Sequence, residues 1–201
     1  MIETLIGWDK ELLLFLNGMH NDFLDFIMFW ISEKFIWIPF YLFLFYLVIK
    51  NYKLRTIDVL VVVAVLITAS DMISVHGFKE VFHRLRPCQD PSMKQLVHIV
   101  YNECGGLYSF VSSHATNTFA LCFFMICILG KKIKWITPVM IIWASVVSYT
   151  RIYLGVHYPF DVLCGAILGI LTGLLIGKTF NWYYMKFVLK KLKNKTDVKE
   201  N

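Results

Sequence analysis

Charge is scarce in this sequence: 17% of its 201 residues are Asp, Glu, Lys or Arg, where a soluble domain carries about 25%. Apolar residues make up 58% and mean hydropathy is +0.61. This balance excludes an ordinary soluble chain and points to an integral membrane protein, read as one domain over residues 1–201. No linker, repeat or low-complexity tract interrupts it before the Lys-rich end. At the start, no basic segment precedes an apolar run with a small-residue cleavage site, so no removable signal peptide is expected. Several chemistry-bearing motifs are missing too. There is no His-Glu-x-x-His, no P-loop and no Gly-x-Ser-x-Gly, and neither a metal nor a cofactor is expected. The bilayer is the expected partner, and nucleic acid is not.

What is present is a series of apolar stretches. Residues 2–16 place Ile2, Leu5, Ile6, Leu12, Leu13 and Leu16 largely on one side, with Asp9, Lys10 and Glu11 interrupting. That is the pattern of an amphipathic helix lying in the membrane interface. Asn21-Asp22 is placed to cap a second segment, Phe23 to Ile31, shorter than the roughly 20 residues a spanning helix needs. Trp30, Lys34 and Trp37 read as interfacial anchors. Spanning segments are expected from Ile36 to Ile49, Ile57 to Val75, Asn117 to Leu129, Trp135 to Ser148 and Phe160 to Ile176. The second is expected to continue as a helix through Lys79 to Leu85. Gly165, Ala166, Gly169 and Gly173 suit close helix packing in the last. Lys190 to Lys199 reads as a basic, solvated tail. The expected fold is all-α: a polytopic membrane helix bundle of five to six spans with an N-terminal interfacial helix.

Basic residues cluster at Lys50, Lys53 and Arg55, at Lys131, Lys132 and Lys134, and at the Lys-rich end. If the spans alternate, all three clusters fall on one side, which the positive-inside rule makes the cytoplasm. The loop from about Val75 to Asn117 and the turn around Arg151 to Pro159 then lie on the opposite face. A bacterial inner membrane, with the site facing the periplasm or exterior, is the expected location.

Chemistry concentrates on that opposite face. Arg151, His157 and Asp161 fall within the twelve residues from Thr150 to Asp161. A helix beginning near Tyr158 puts His157 at its first turn and Asp161 one turn later, on one face. Pro159 suits a first helical turn. A carboxylate so placed accepts the imidazole Nδ1–H and leaves Nε2 free to attack or take a proton. The plainer alternative is a polar cap at the mouth of a membrane helix. Lys79 and Arg86 are seven residues apart, two helical turns, and Pro87 ends the helix; their alternative is snorkelling to headgroups. Arg84, out of register with both, is read as a snorkeller. Ser112-Ser113-His114 precedes an apolar helix, whose start offers free amides and the positive dipole end to an anion. Either serine also suits an N-cap. Taken together, Lys79, Arg86, the amides of Ser112, Ser113 and His114, and Arg151 describe a cradle for a tetrahedral oxyanion. Two imidazoles are left over, one to attack phosphorus in line and one to protonate the departing oxygen.

Lys79-x6-Arg86-Pro87, Ser112-Ser113-His114 and Arg151-x5-His157-x3-Asp161 together resemble the three-part signature of the type 2 phosphatidic acid phosphatase (PAP2) superfamily, which also holds the vanadium haloperoxidases. The resemblance covers residues 79 to 161 and departs in three ways. Val111 and Ser113 stand where the second motif usually has Pro and Gly, and Thr150 stands where the third usually opens with Ser. The family's Gly is thought to lend a backbone N–H, which Ser113 still has. The resemblance implies a PAP2-like core with His157 as nucleophile forming a phosphohistidine, Asp161 orienting it and His114 protonating the leaving group. Lys79, Arg86, Ser112 and Arg151 would bind phosphate oxygens.

The expected reaction is therefore metal-independent hydrolysis of a phosphomonoester or diphosphate on a lipid. Undecaprenyl diphosphate is the first expectation, lipid A phosphate the second, with phosphatidylglycerophosphate, phosphatidate or transfer to another lipid also open. A non-catalytic lipid binder, a haloperoxidase and a transporter are the other classes weighed. The two retained histidines, the membrane spans and the position of the charges at one membrane face speak against these in turn. Cys122, Cys127 and Cys164 read as inert packing residues. Cys88 and Cys104 share the polar loop and would brace it as a disulfide if it faces an oxidising compartment. His76, His83 and His98 show no partner in the sequence pattern. Position alone makes Asp90, Lys94, Asn102 and Glu103 selectivity candidates.

Overall fold

The computed structural model describes residues 2–189. The basic tail expected from Lys190 to Lys199 lies outside the described residues. Eight α-helices are described: α1 Ile2–Asn17, α2 Asp22–Ser32, α3 Ile38–Tyr52, α4 Thr56–Met72, α5 Glu80–Phe82, α6 Ser113–Leu129, α7 Ile136–Tyr153 and α8 Pro159–Tyr183. Among the described residues there is no β-strand, and the all-α bundle expected from the sequence is the architecture found. The 34–82 stretch, Ile136–Tyr153 and Pro159–Phe187 are long and apolar enough to cross a membrane, with α6 a shorter apolar helix beside them.

Local chemistry sets the breaks. The Asn21 side chain accepts the Leu24 amide at 2.9 Å and starts α2. Between α3 and α4 the backbone of Lys53 turns to φ +49°, and Thr56 Oγ1 donates to the Lys53 carbonyl at 2.7 Å. Past α4 the helix loosens into a π segment, Ile73–Lys79, before α5. His83 then adopts the left-handed conformation, φ +48°, and stops it. The helix expected to reach Leu85 thus ends at Phe82, because a left-handed residue cannot continue a right-handed helix.

The main core joins α3, α4, α6, α7 and α8 through Leu44, Leu66, Phe124, Met140 and Phe180. Trp37, expected as an interfacial anchor, instead packs edge-on against Trp143 and donates its indole N–H to Ile31 O at 2.7 Å. The α6–α8 contact is the tightest in the bundle. A Cβ on Gly165 would lie 2.6 Å from Ser112 O, and one on Gly173 would lie 2.5 Å from Ala120 O. Glycines at these positions allow backbone-to-backbone approach, the usual source of packing between apolar helices in lipid. That closeness also carries the start of α6 up against the start of α8, where the polar residues gather.

The two N-terminal helices complete the polar end. Leu13 of α1 is fully buried and packs with Val97, Ile152 and Tyr158. Leu24, Met28 and Phe29 of α2 cover Tyr153, Leu154 and Val156.

Candidate active site

The loop 83–112 carries Arg86 to its place, since no helix does. The Arg86 amide donates to Leu107 O at 3.0 Å, its Nη1 to Cys104 O at 3.0 Å and its Nε to Tyr108 O at 3.3 Å. A Cys88–Cys104 disulfide closes this loop, the bridge anticipated for an oxidising compartment. Gly105 must be glycine: its φ is +78°, and a Cβ would sit 3.0 Å from Arg86 Nη1. The Arg86 side chain is buried, which lowers its pKa from the ordinary guanidinium value, although Asp161 opposes the shift.

Lys79, at the end of the π segment, donates its Nζ to Ser113 Oγ at 2.9 Å, and Ser74 Oγ lies 2.7 Å from the same hydroxyl. Ser113 therefore engages Lys79 through its side chain as well as presenting an amide. The neighbouring Ser112 does not cap α6. Its Oγ is buried without a hydrogen-bond partner, while its amide donates to Asp161 O at 3.0 Å. Of the three amides expected to face an anion, that of Ser112 is already used. Those of Ser113 and His114, in the first helical turn, have no helical acceptor.

A tight turn between α7 and α8 sets His157. Its amide and that of Val156 both donate to Arg151 O at 3.2 Å. The turn requires Gly155, at φ +72°, where a Cβ would lie 2.6 Å from His98 O. Arg151 Nη1 donates to Ser32 Oγ, and its buried Nε has no partner. His157 precedes α8 rather than opening it, because Tyr158 is the N-cap and Pro159 the first helical residue. The Asp161 side chain reaches back to the Tyr158 amide at 2.9 Å, a capping-box contact. The same oxygen, Oδ2, lies 3.6 Å from His157 Nδ1, close but longer than a hydrogen bond. Both side chains are buried, 1% and 0% exposed. Burial, reinforced by the charges of Arg86, Arg151 and Lys79, holds the His157 pKa well below its ordinary value, so its imidazole is neutral.

The sequence pattern missed Arg84 and Asp9. Rather than snorkelling, Arg84 bridges two buried carboxylates, donating Nη1 to Asp161 Oδ1 at 2.8 Å and Nη2 to Asp9 Oδ2 at 2.6 Å. Its guanidinium also sits 4.0 Å from the centroid of the Tyr158 ring. Asp9, taken as an interruption of an amphipathic helix, is 1% exposed and accepts the Phe160 amide at 2.9 Å. Burial pushes the Asp9 carboxyl above the usual carboxylate range, against the pull of Phe160 and Arg84. One signal was readable: Asp9 lies one turn from Leu5, Ile6, Leu12 and Leu13, inside the apolar face of the N-terminal helix, where a carboxylate needs a cation, and Arg84 had no assigned partner.

Other polar residues settle outside this cluster. Asp90 takes Lys10 at 3.1 Å and the Tyr158 hydroxyl at 2.9 Å. His76 pairs with Glu80 at 2.8 Å, and His98 with Asp25 at 2.7 Å, so both have the partners their sequence contexts concealed. His20, Asp25 and His98 bring potential metal-ligand atoms within 4.8 Å of one another. The two imidazoles stack 3.7 Å apart with planes 6° from parallel, so their in-plane lone pairs do not converge on one ion.

A cavity of about 590 Å3 opens on Lys79, Arg86, Ser113 and His114 and continues between Trp37, Tyr41, Ile67, Leu121 and Trp143. It is cationic at its polar end and apolar along the helices, the profile that a phosphorylated amphiphile fills. A second, more enclosed pocket places His114 beside Arg151, Ser32 and Gly105.

Comparison with known proteins identifies the family. Residues 58–185 match the model of the PAP2 superfamily. The chain is 39% identical over 171 residues to a lipid A 4'-phosphatase of Bacteroides thetaiotaomicron, covering 84% of this chain and 75% of that protein. It is 32% identical over 182 residues to a lipid A 4'-phosphatase of Porphyromonas gingivalis, with 89% and 75% covered. An undecaprenyl-diphosphatase of Sulfolobus acidocaldarius is 30% identical over 172 residues, with 83% and 76% covered. In fold, the chain superposes on the crystal structure of a transmembrane PAP2-type phosphatidylglycerolphosphate phosphatase from Bacillus subtilis with a TM-score of 0.70 at 20% identity, covering 92% of this chain and 89% of the other. The polar end of the bundle and the family match lead to one identification: the chain belongs to the PAP2 superfamily and is an integral-membrane lipid phosphatase.

Proposed function

We propose that this phosphatase removes the phosphate of a lipid A-type glycolipid through a phosphohistidine on His157. The neutral His157 imidazole attacks phosphorus in line, forming a P–N bond as the P–O bond to the lipid breaks. His114, neutral in the empty site because it is buried beside Arg151, takes up a proton as the phosphate dianion binds, gives it to the departing oxygen, and in the second step takes one from the water that hydrolyses the phosphohistidine. Asp161 orients His157. Lys79, Arg86, Arg151, the Ser112 hydroxyl and the free amides of Ser113 and His114 hold the phosphoryl oxygens as charge builds on them. The juxtaposition of a neutral buried imidazole with three cations is the observation that carries this reading. The lipid is drawn from the two lipid A 4'-phosphatases to which most of the chain is similar. The basic clusters at Lys50 to Arg55 and Lys131 to Lys134 support an outward-facing site, since the positive-inside rule assigns them to the cytoplasm.

The test is phosphate release by the detergent-purified protein in EDTA, offered lipid A, undecaprenyl diphosphate, phosphatidylglycerophosphate and phosphatidate. Release from lipid A that vanishes in His157→Ala supports the whole reading. Release from undecaprenyl diphosphate alone favours the second reading, which the archaeal relative supports. Wild-type turnover in His157→Ala would overturn the phosphohistidine route.

A further inference from the structure

Two polar side chains in the cavity have no part in holding phosphate. Asp71 stands near the end of α4, an exposed carboxylate on the wall of this cavity. Among the described residues no basic side chain reaches salt-bridge distance of it; its neighbour is Asn117 Nδ2, at 3.4 Å from its Oδ1. Asn117 lies on α6 one turn beyond Ser113 and His114. Its Oδ1 is buried with no hydrogen-bond partner, and a buried acceptor without a donor is unfavourable until something supplies one. Both residues line the cavity that His114 and Lys79 also line.

We propose that Asp71 and Asn117 form an acceptor pair that recognises hydroxyl or amide donors on the leaving alcohol of the lipid. The inference rests on the phosphatase reading above, in which His114 protonates the departing oxygen. The leaving group then extends from His114 into this cavity, past Asn117 one turn deeper. A carboxylate and an amide oxygen there cannot serve a phosphate, whose oxygens are acceptors and whose charge Asp71 repels. They suit a group that donates. A phosphate carried on an acylated amino sugar has such donors beside the scissile ester, in its ring hydroxyls and amide-linked chains. A polyprenyl diphosphate has none, and its leaving group is itself an anion that would meet the Asp71 charge. The pair therefore selects for the sugar lipid and against the diphosphate, acting by repulsion as well as attraction.

The experiment compares two synthetic substrates on the full-length purified protein. One is a glucosamine 4-phosphate carrying an amide-linked acyl chain. The other is the same molecule with its amide N–H and free ring hydroxyls methylated. Wild type is expected to favour the first by at least about tenfold in kcat/KM, the discrimination one buried hydrogen bond supplies. Asp71→Asn and Asn117→Leu, both close in shape to the original residues, should bring that preference to within about twofold, chiefly by raising KM for the first substrate. The preference is a ratio, so partial unfolding of a variant does not alter it. Equal wild-type rates on the two substrates would overturn the inference and leave the phosphatase reading standing. An unchanged preference in both variants would also overturn it, by reducing the pair to a packing role. Release of phosphate from neither substrate by wild type would instead refute the glycolipid reading on which it rests.

Discussion

Arg84 Nη1 donates to Asp161 Oδ1 at 2.8 Å, so the carboxylate beside His157 is held by a cation as well as by the cap of α8. The other arm of Arg84 grips Asp9 at 2.6 Å, which ties the N-terminal helix to the same point. Removing this guanidinium leaves two buried carboxylates facing each other. Breaking one side of a buried pair typically destabilises by about 3–5 kcal/mol, and the 25% exposure of Arg84 places the expected loss at or below the lower end. Arg84→Met should therefore lower the melting temperature and reduce kcat at least tenfold, a 1.4 kcal/mol effect on the orientation of His157. Asp9→Asn keeps an acceptor for the Phe160 amide and should be milder in both. A normal kcat in Arg84→Met would show that Asp161 needs no support from this side.

Much of the bundle was legible because apolar runs and capping residues act locally. Asn21, Pro159 and the glycines of α8 announce two helix starts and one packing face in the sequence itself. The convergence of Lys79, His114 and His157 near one another was legible because motif order and membrane sidedness together restrict them to one end. What escaped was set by tertiary contact. Arg86 was expected to share a helix face with Lys79, yet its position comes from carbonyls of residues 104, 107 and 108 and a disulfide. Asp9 and Arg84 are joined only once α1 folds back onto α8, a long-range pairing with no periodic signature. The contact between Trp37 and Trp143 was out of reach for the same reason, since the two residues meet only once α7 packs beside the start of α3.

His114, as the proposed acid, matters in proportion to how badly the leaving group needs a proton. His114→Ala should lower kcat by about 100-fold to 10,000-fold on a lipid alcohol, the usual contribution of a general acid. On an aryl phosphate with a good leaving group the first step should be nearly restored, and a phosphoenzyme should accumulate because the water then lacks its base. Single-turnover labelling with radioactive phosphate reads this directly. Equal losses on both substrates would assign His114 to binding rather than proton transfer.

The depressed pKa of His157 makes a pH prediction whose sign is set by linkage. The folded value lies below the unfolded value of about 6.5. Between the two, the unfolded chain holds the extra proton, so the stability contribution is complete above about pH 6.5 and declines as pH falls, by at most about 1.4 kcal/mol per pH unit. His157→Gln should flatten part of the fall in melting temperature between about pH 7 and pH 5. In activity, Arg86→Gln removes the largest of the charge effects on His157 and should shift the acidic limb of kcat/KM to higher pH. A limb that moves the other way would place the titration elsewhere.

The Cys88–Cys104 bridge matters through Arg86, whose Nη1 leans on the carbonyl of Cys104 itself. The bridge spans a sequence separation of 16, a loop length for which chain entropy gives about 3 kcal/mol of stabilisation. In Cys88→Ser/Cys104→Ser the loop keeps its other backbone bonds, but Arg86 is no longer fixed at both Cys104 and Tyr108. In the proposed mechanism Arg86 holds phosphate, and a cation that wanders weakens ground-state and transition-state binding alike, so KM should rise several-fold with a smaller change in kcat. Reduction of the wild-type protein with dithiothreitol should reproduce the double variant, and the variant itself should be insensitive to the reductant. A wild-type KM unmoved by full reduction would show that the backbone bonds alone suffice to hold Arg86.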